Sequence, residues 1–390
     1  MLLSSLTMIA KKILIINRVF PPTLGATGRV ACDLALHLRK QGHHVTVITT
    51  NDHFKHDRAK DLDVIRVQAH TNPQTPWDYF KNLWALYLQA KRLSHHHIVI
   101  SMTDPPLQGL LGARIAKRMK AKHIHWAMDL YPDLLPIIIG KKISPLLFRF
   151  LQNAMFKMMK SADILVPISH CMARYLTHHA IPKTNMQVIE NWPDKYLLEE
   201  TEHPQSLMDD TKFRILYAGT IGLAHDFDDV LSAAIYFQKT DPDIEFIFTD
   251  RGRGAKKFKT DCHHKGVKNI QFISPQPSKK LNALMNAGDV HLVTMKPNAA
   301  GKLFPSKFYS ALAAARPVIF IGSAACDIHR KISKHECGAT IRNGESQMVV
   351  NAIKNYKTNA DDYFTACENA SKLLKQNTPL NQWKELIENS

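Results

Sequence analysis

The residue types best able to do chemistry cluster in 289–322, DVHLVTMKPNAAGKLFPSKFYSALAAARPVIFIG. An apolar run over 290–295 reads as a short strand. A loop carrying Gly301 and Lys302 follows over 296–304. Pro305, Ser306 and Lys307 open a small-residue helix over 305–315, and 318–321 is a second buried strand. Proline is tolerated at a first helical position because that amide has no intrahelical partner. A strand feeding a loop and then a helix aims backbone amides, and the positive end of the helix dipole, at whatever lies above the sheet. Ser306 and Lys307 add a hydroxyl and a cation at that end. The stretch therefore reads as a phosphate loop or as an ordinary strand-to-helix turn.

Other candidates occupy equivalent positions at strand ends. Gly25 and Gly28 lie in a Pro/Gly loop, 21–28, between the apolar strand 13–16 and a helix with Val30, Leu34 and Leu38 on one face. Their spacing is not GxGxxG, so a dinucleotide fingerprint is unsupported. Gly219 and Gly222 repeat the theme after the strand 215–218. In DRGRGAKK, 250–257, Arg251 and Arg253 alternate with Gly252 and Gly254, which suits an anionic ligand or a merely basic surface loop. Asp129 follows the strand 123–126 on the ligand side of a parallel sheet, as a general base, a ligand for a sugar hydroxyl or a turn cap. Asp104 opens the helix 107–119, and Asn191 follows the strand 188–190. His95, His96 and His97 are consecutive, cannot share one face of a strand and read as solvated.

The elements that must position these groups alternate along the chain. Strands at 13–16, 45–48, 64–67, 98–102, 123–126, 163–167 and 188–190 are separated by helical patterns, including an aromatic-rich one at 77–93. Residues 195–212 are polar and acidic and read as a linker. A second series begins at 213, with strands at 215–218, 245–248, 270–273, 290–295, 318–321 and 339–341, helices at 228–237 and 278–285, and a helical remainder. Strand–helix alternation implies parallel sheets, and 390 residues exceed one ordinary core, so the expectation is two α/β domains.

Composition narrows the classes. Apolar content of 45% and charged content of 22% are those of a folded globular chain. Six cysteines are scattered without a CxxC pair, which argues against a disulfide or metal framework and for a reducing compartment. The net charge of +17 is one-sided: residues 1–190 carry 25 Lys and Arg against 11 Asp and Glu, or +14, and the remainder +3. No run of 18 apolar residues could cross a membrane. Lys11 and Lys12 follow the opening apolar patch, the wrong order for a signal peptide, so the expected location is cytoplasmic. The stretch 137–160 is apolar and carries Lys141, Lys142, Arg149, Lys157 and Lys160 without an acid. It reads as a core helix with a basic face or, with the charge excess beside it, as a contact to an anionic membrane surface. The basic residues lack interleaved aromatic platforms, so nucleic acid is not an expected partner.

Blocks distributed along nearly the whole chain resemble the family 4 glycosyltransferases of GT-B fold. They are PPTLGATGRVACDLALHLRKQGHHVTVIT, MDLYPD, ADILVPIS, VIENWPD, ILYAGTIGLAH, LMNAGDVHLVTM and PSKFYSALAAARPVI, in the family's order. They are most similar to the bacterial polysaccharide transferases of the colanic acid and N-acetylfucosamine type. The family's Glu–seven–Glu pattern falls on Lys302 and Ser310, and the His that often precedes Asp129 is Met128. Where relatives place an Arg and a Lys, Thr220 and Asp226 stand, and the second Gly of the opening loop is Ala26.

The resemblance implies two Rossmann-like domains facing a cleft: an acceptor-binding domain over 1–194, a linker over 195–212, a nucleotide-sugar domain over 213–370, and a helix over 371–390 that crosses back to the first. It implies a retaining, metal-independent enzyme without cofactor. Its donor is a nucleoside diphosphate sugar, a UDP-sugar by preference, and its acceptor a lipid-linked saccharide at the inner face of the plasma membrane. Under this reading Asp129 and Lys307 are catalytic. Gly25, Gly28, Gly219, Gly222, Arg251, Lys302, Ser306 and Lys307 serve the donor, and Asp104 and Asn191 face the acceptor. A 2-epimerase acting on UDP-N-acetylglucosamine on the same fold, and a non-enzymatic basic scaffold or nucleic-acid binder, are the rival readings.

Overall fold

The computed structural model describes residues 9–23, 25–59, 62–139, 143–198 and 212–390. It divides into two compact units. One contains the residues up to Glu190 together with Thr378–Ser390, and the other is Asn191–Asn377.

In the first unit the elements run β1 (Lys12–Ile16), α1 (Ala26–Lys40), β2 (His44–Asn51), β3 (Lys55–Ala59), β4 (Leu62–Gln68), α2 (Pro76–Arg92), β5 (Ile98–Met102), α3 (Gln108–Met119), β6 (Lys122–Ala127), α4 (Leu135–Ile139), α5 (Pro145–Lys160), β7 (Ile164–Pro167) and α6 (His170–His178). The sheet order is β3-β4-β2-β1-β5-β6-β7. Every pairing is parallel except β3 with β4. Strands buried on both faces need apolar runs, and KILII and IVISM supply them. Leu14, Ile16, Ile48 and Val99 pack against Leu86 and Ala90 of α2 and Ile115 and Met119 of α3.

The second unit runs β8 (Phe213–Tyr217), α7 (Asp228–Thr240), β9 (Ile244–Thr249), α8 (Ala255–His264), β10 (Ile270–Ile273), α9 (Leu281–Asn286), β11 (Val290–Thr294), α10 (Lys307–Ala313), β12 (Val318–Ile321), α11 (Asp327–His335), β13 (Gly338–Ile341), α12 (Ser346–Thr358) and α13 (Ala360–Gln376). Its sheet is wholly parallel, in the order β10-β9-β8-β11-β12-β13. The last helix, α14 (Pro379–Glu388), belongs to the first unit. Trp383 is fully buried there with its ring 4.8 Å from that of Trp126. Lys11 Nζ donates to the carbonyls of Ile387 and Glu388 (2.7 and 3.0 Å), placing a cation at the negative end of the helix.

Counted along the parallel strands, both sheets turn back on themselves at the first strand, between β1 and β5 and between β8 and β11. In doubly wound sheets that reversal opens a crevice at the carboxyl ends of the strands, where ligands bind.

Several expectations are corrected. The first sheet carries an antiparallel edge, β3, whose sequence KHDRA has no apolar alternation. Residues 188–190 are not a strand, although the Gln187 and Ile189 amides donate to Leu165 and Pro167 beside β7 (3.0 and 3.2 Å). The three consecutive histidines are not simply solvated. His96 is buried, with its ring near Thr46 Oγ1 (3.3 Å); His97 Nδ1 accepts from the Lys12 amide (2.8 Å); and His95 Nδ1 donates to the Met119 carbonyl (2.7 Å). The basic stretch 137–160 is two helices, α4 and α5, and Lys141 and Lys142 lie outside the described residues. So do residues 199–211 of the linker; at its start Leu197 is buried against Leu216, Leu284 and Met285. The helix expected over 305–315 begins only at Lys307, and α11 was not expected.

Candidate functional site

At the β8–β11 switch point the second unit gathers its polar groups. Tyr217 ends β8, and Gly219 follows with φ +121, a conformation L side chains rarely adopt. Its amide donates to Thr249 Oγ1 at the end of β9 (2.8 Å). A β-carbon at Gly219 would lie 3.0 Å from Lys307 Cε. The glycine therefore makes room for a lysine arriving from α10. Lys307 is half-buried, with Nζ 4.9 Å from the centre of the Tyr217 ring. Burial pushes its ammonium down to about 8, and no carboxylate contributes to that shift.

His225 completes this cluster. Its Nδ1 is 2.6 Å from the Thr294 carbonyl at the end of β11. A carbonyl can only accept, so Nδ1 carries the proton and Nε2 is left to accept. Burial first, then the charges of Lys307 and Lys296, push His225 down to about 3, so the ring is neutral at physiological pH. Gly222 lies against the same ring, its β-carbon position 3.2 Å from Cδ2. The loop is held by backbone bonds: Ile221 N–H donates to Arg251 O (2.6 Å), Gly254 N–H to Ile221 O (2.9 Å), and Lys296 N–H to Ala224 O (2.9 Å). Beside it is a pocket of about 280 Å³ lined by Gly222, His225, Asp226, Lys257, Asp261 and Lys296.

The remaining donor candidates contribute unevenly. Arg251 joins this loop through its backbone, while its side chain is exposed. Lys302 sits in a tight turn, its amide donating to Ala299 O (3.0 Å) after Gly301 at φ +76. Ser306 precedes α10 with helical angles, and its hydroxyl caps no amide. With only seven residues in α10, the charge at this position comes chiefly from the Lys307 side chain rather than from a helix dipole. Asn191 is buried, belongs to the second unit, and accepts at its carbonyl from Asn377 Nδ2 (3.3 Å). His225, Tyr217 and Thr249 were not among the expected site residues; a lone His in a Gly-bearing loop after a strand was the only available signal.

The first unit answers with a carboxylate. Arg18 follows β1 and forms a two-pronged pair with Asp104 after β5, Nε to Oδ1 and Nη2 to Oδ2, both 2.7 Å. Asp104 was expected to open α3, but both its oxygens are committed to Arg18, and the α3 cap position is Leu107. Asp129 lies after β6, its amide donating to Thr103 Oγ1 (3.3 Å). Burial, and then the neighbouring charge of Asp104, raise Asp129 to about 6. Gly25 and Gly28 open α1, and a β-carbon at either would run into Val19. In this unit the glycines let the helix pack on its own loop. Among the described residues, no three His, Cys, Asp or Glu side chains are gathered to hold a metal, and no helix is long and apolar enough to cross a membrane.

Two doubly wound units in one chain, each with its polar groups at the switch point, define the GT-B class. Sucrose-phosphate synthase from Thermosynechococcus elongatus superposes with a TM-score of 0.77 at 14% identity, over 97% of this chain and 98% of that one. HepE of Anabaena, solved in complex with UDP, gives 0.74 at 14% identity, over 97% and 100%. Residues 25–192 match the family model of the glycosyl transferase 4-like domain, and 199–373 that of the glycosyl transferases group 1. The chain belongs to this glycosyltransferase family and is a GT4-like enzyme. WcaI of Escherichia coli (strain K12), named as a colanic acid biosynthesis glycosyl transferase, is 24% identical over 351 residues, 81% of this chain and 84% of that protein.

Proposed function

We propose that the enzyme moves a sugar from a UDP-sugar to a lipid-linked saccharide during assembly of a bacterial surface polysaccharide, with retention of anomeric configuration and without a metal. Lys307 carries this reading. A desolvated ammonium without a carboxylate counter-charge is the arrangement an anionic ligand completes, and the switch point of the second unit is where a diphosphate would meet it. HepE, of the same fold, was solved with UDP and with UDP-glucose, and WcaI is named for colanic acid biosynthesis.

In the step proposed, the bond from the sugar C1 to the β-phosphate oxygen breaks as the acceptor oxygen bonds to the same face of C1. The departing diphosphate gains charge, and Lys307 stabilises it electrostatically. The neutral His225 holds Nε2 as an acceptor beside the donor without repelling Lys307. The proton of the attacking hydroxyl leaves with the diphosphate, and Asp129 in the first unit accepts a hydrogen bond from the acceptor saccharide bound there. The enzyme works in the cytoplasm at the inner face of the plasma membrane, where the basic first unit and α5 meet lipid.

The test is UDP release from candidate UDP-sugars in the presence of bacterial membranes, with titration calorimetry of UDP. Lys307→Ala is expected to weaken UDP binding by about 100-fold and to stop turnover. Because the free ammonium loses its proton near 8, UDP affinity should fall as pH rises through that value. Unchanged UDP affinity in Lys307→Ala would sink the assignment.

A further inference from the structure

Exposed apolar side chains of the first unit gather on two helices, α5 with Leu146, Leu147 and Phe150, and α2, which carries the tryptophans. Trp77, Phe80, Trp84 and Leu88 are 62, 51, 51 and 41% exposed. Their spacing of three, four and four residues puts them on one side of the helix. The side packed on the sheet is the opposite one, through Asn82, Leu86 and Ala90. The rings are ordered against one another, with Trp77 stacked on Phe80 at 5.1 Å. An isolated exposed hydrophobic residue needs no explanation, but a contiguous ridge marks an interaction surface.

The surrounding charge selects the occupant. Lys81, Lys91 and Arg92 border the ridge and are exposed. α3 packs beside α2, with Arg118 Nη1 reaching the Leu93 carbonyl (3.4 Å), and presents Arg114, Lys117 and Arg118 to solvent. The one acid on these two helices, Asp78, accepts from the Gln74 and Thr75 amides as part of a helix cap. A second copy of this chain would bring a like-charged unit, at +14 over residues 1–190, against these cations. Aromatic and basic side chains do interleave here, contrary to the expectation from sequence, and indole rings bordered by lysine and arginine suit the boundary between lipid headgroups and acyl chains. We propose that the α2 ridge is an interfacial anchor that seats the first unit in an anionic phospholipid surface. This site is separate from α5. It deepens the membrane-bound acceptor of the proposed function without resting on the transfer reaction.

The full chain reports on this site itself. Its five tryptophans are Trp77 and Trp84 on the ridge and Trp126, Trp192 and Trp383, which are buried. Vesicles of phosphatidylcholine containing phosphatidylglycerol should shift the emission to the blue, and brominated acyl chains should quench it, with little response to phosphatidylcholine alone. Combining Trp77→Ser, Phe80→Ser and Trp84→Ser should lower vesicle partitioning on the order of 100-fold, leaving thermal unfolding and UDP binding unchanged. Unquenched emission with equal partitioning of the triple variant overturns the inference. So does a dimer abolished by the triple variant while vesicles leave the emission unchanged, which would assign the ridge to self-association. If Leu146→Ser with Phe150→Ser alone abolishes vesicle binding, the contact is on α5 and the α2 anchor falls while the proposed function stands. Intact anchoring without UDP release would have the opposite meaning.

Discussion

The two units solve the same topological problem with opposite electrostatics. Each sheet reverses at its first strand, and each brings a cation to the opening. In the first unit Arg18 is held by both oxygens of Asp104; in the second Lys307 rests on an aromatic ring, with burial alone setting its shift. The group left desolvated in the first unit is an acid, Asp129, raised to about 6; in the second it is a base, lowered to about 8. Perturbed acids and bases of this kind concentrate at functional sites. The contrast teaches a division of labour, in which one unit offers a hydrogen-bond acceptor and the other a charge for an anion. The glycines follow suit. Gly28 lets α1 close on its own loop at Val19, and Gly219 leaves space for Lys307.

Removing the acid should have the largest effect. Asp129→Asn is expected to lower turnover by about 100- to 1,000-fold while UDP binding to the second unit persists. Turnover of the native enzyme should rise with pH through about 6 as Asp129 ionises, and the substitution should flatten that limb of the pH–rate profile. A retained limb would assign the titration to another group. Next comes the ion pair: Arg18→Met leaves the half-buried Asp104 without its partner, at a cost of about 2 kcal/mol in denaturant unfolding. It should also move the acid limb to higher pH, because the uncompensated Asp104 charge opposes ionisation of Asp129. A limb that stays in place would separate the two carboxylates. The smallest change is Gly219→Ala, expected to cost about 1–2 kcal/mol from strain at positive φ. It should weaken UDP binding by displacing Lys307; unaltered binding would mean the lysine does not need that space.

Much of the architecture was legible because parallel strands buried on both faces must be apolar runs. VHLVT and VIFI could hardly be anything else. β3 was not legible, since an edge strand with one neighbour needs no apolar alternation, and KHDRA has none. α11 was missed because only Ile328 and Ile332, one turn apart, are its buried apolar residues. For the site, Lys307 and Gly219 were visible as types in loops, but their contact joins positions far apart in sequence. The role of His225 was hidden for the same reason: the residue stood in a Gly-bearing loop, but its partner Thr294 lies 69 residues on. The histidines 95–97 were misjudged because Lys12, Thr46 and Met119, which engage their rings, are all remote.

The return of α14 to the first unit bears on how the protein is made. Residues 378–390 supply Trp383 to the core around Trp126, yet the ribosome produces them only after the whole of the second unit, residues 191–377. Domains generally fold as units in the order of synthesis. Here the earlier unit must wait, its Trp126 side uncovered, while the later one completes itself. A nascent chain halted before Pro379 would therefore carry a finished second unit beside an open first one, a state in which a chaperone would find its substrate.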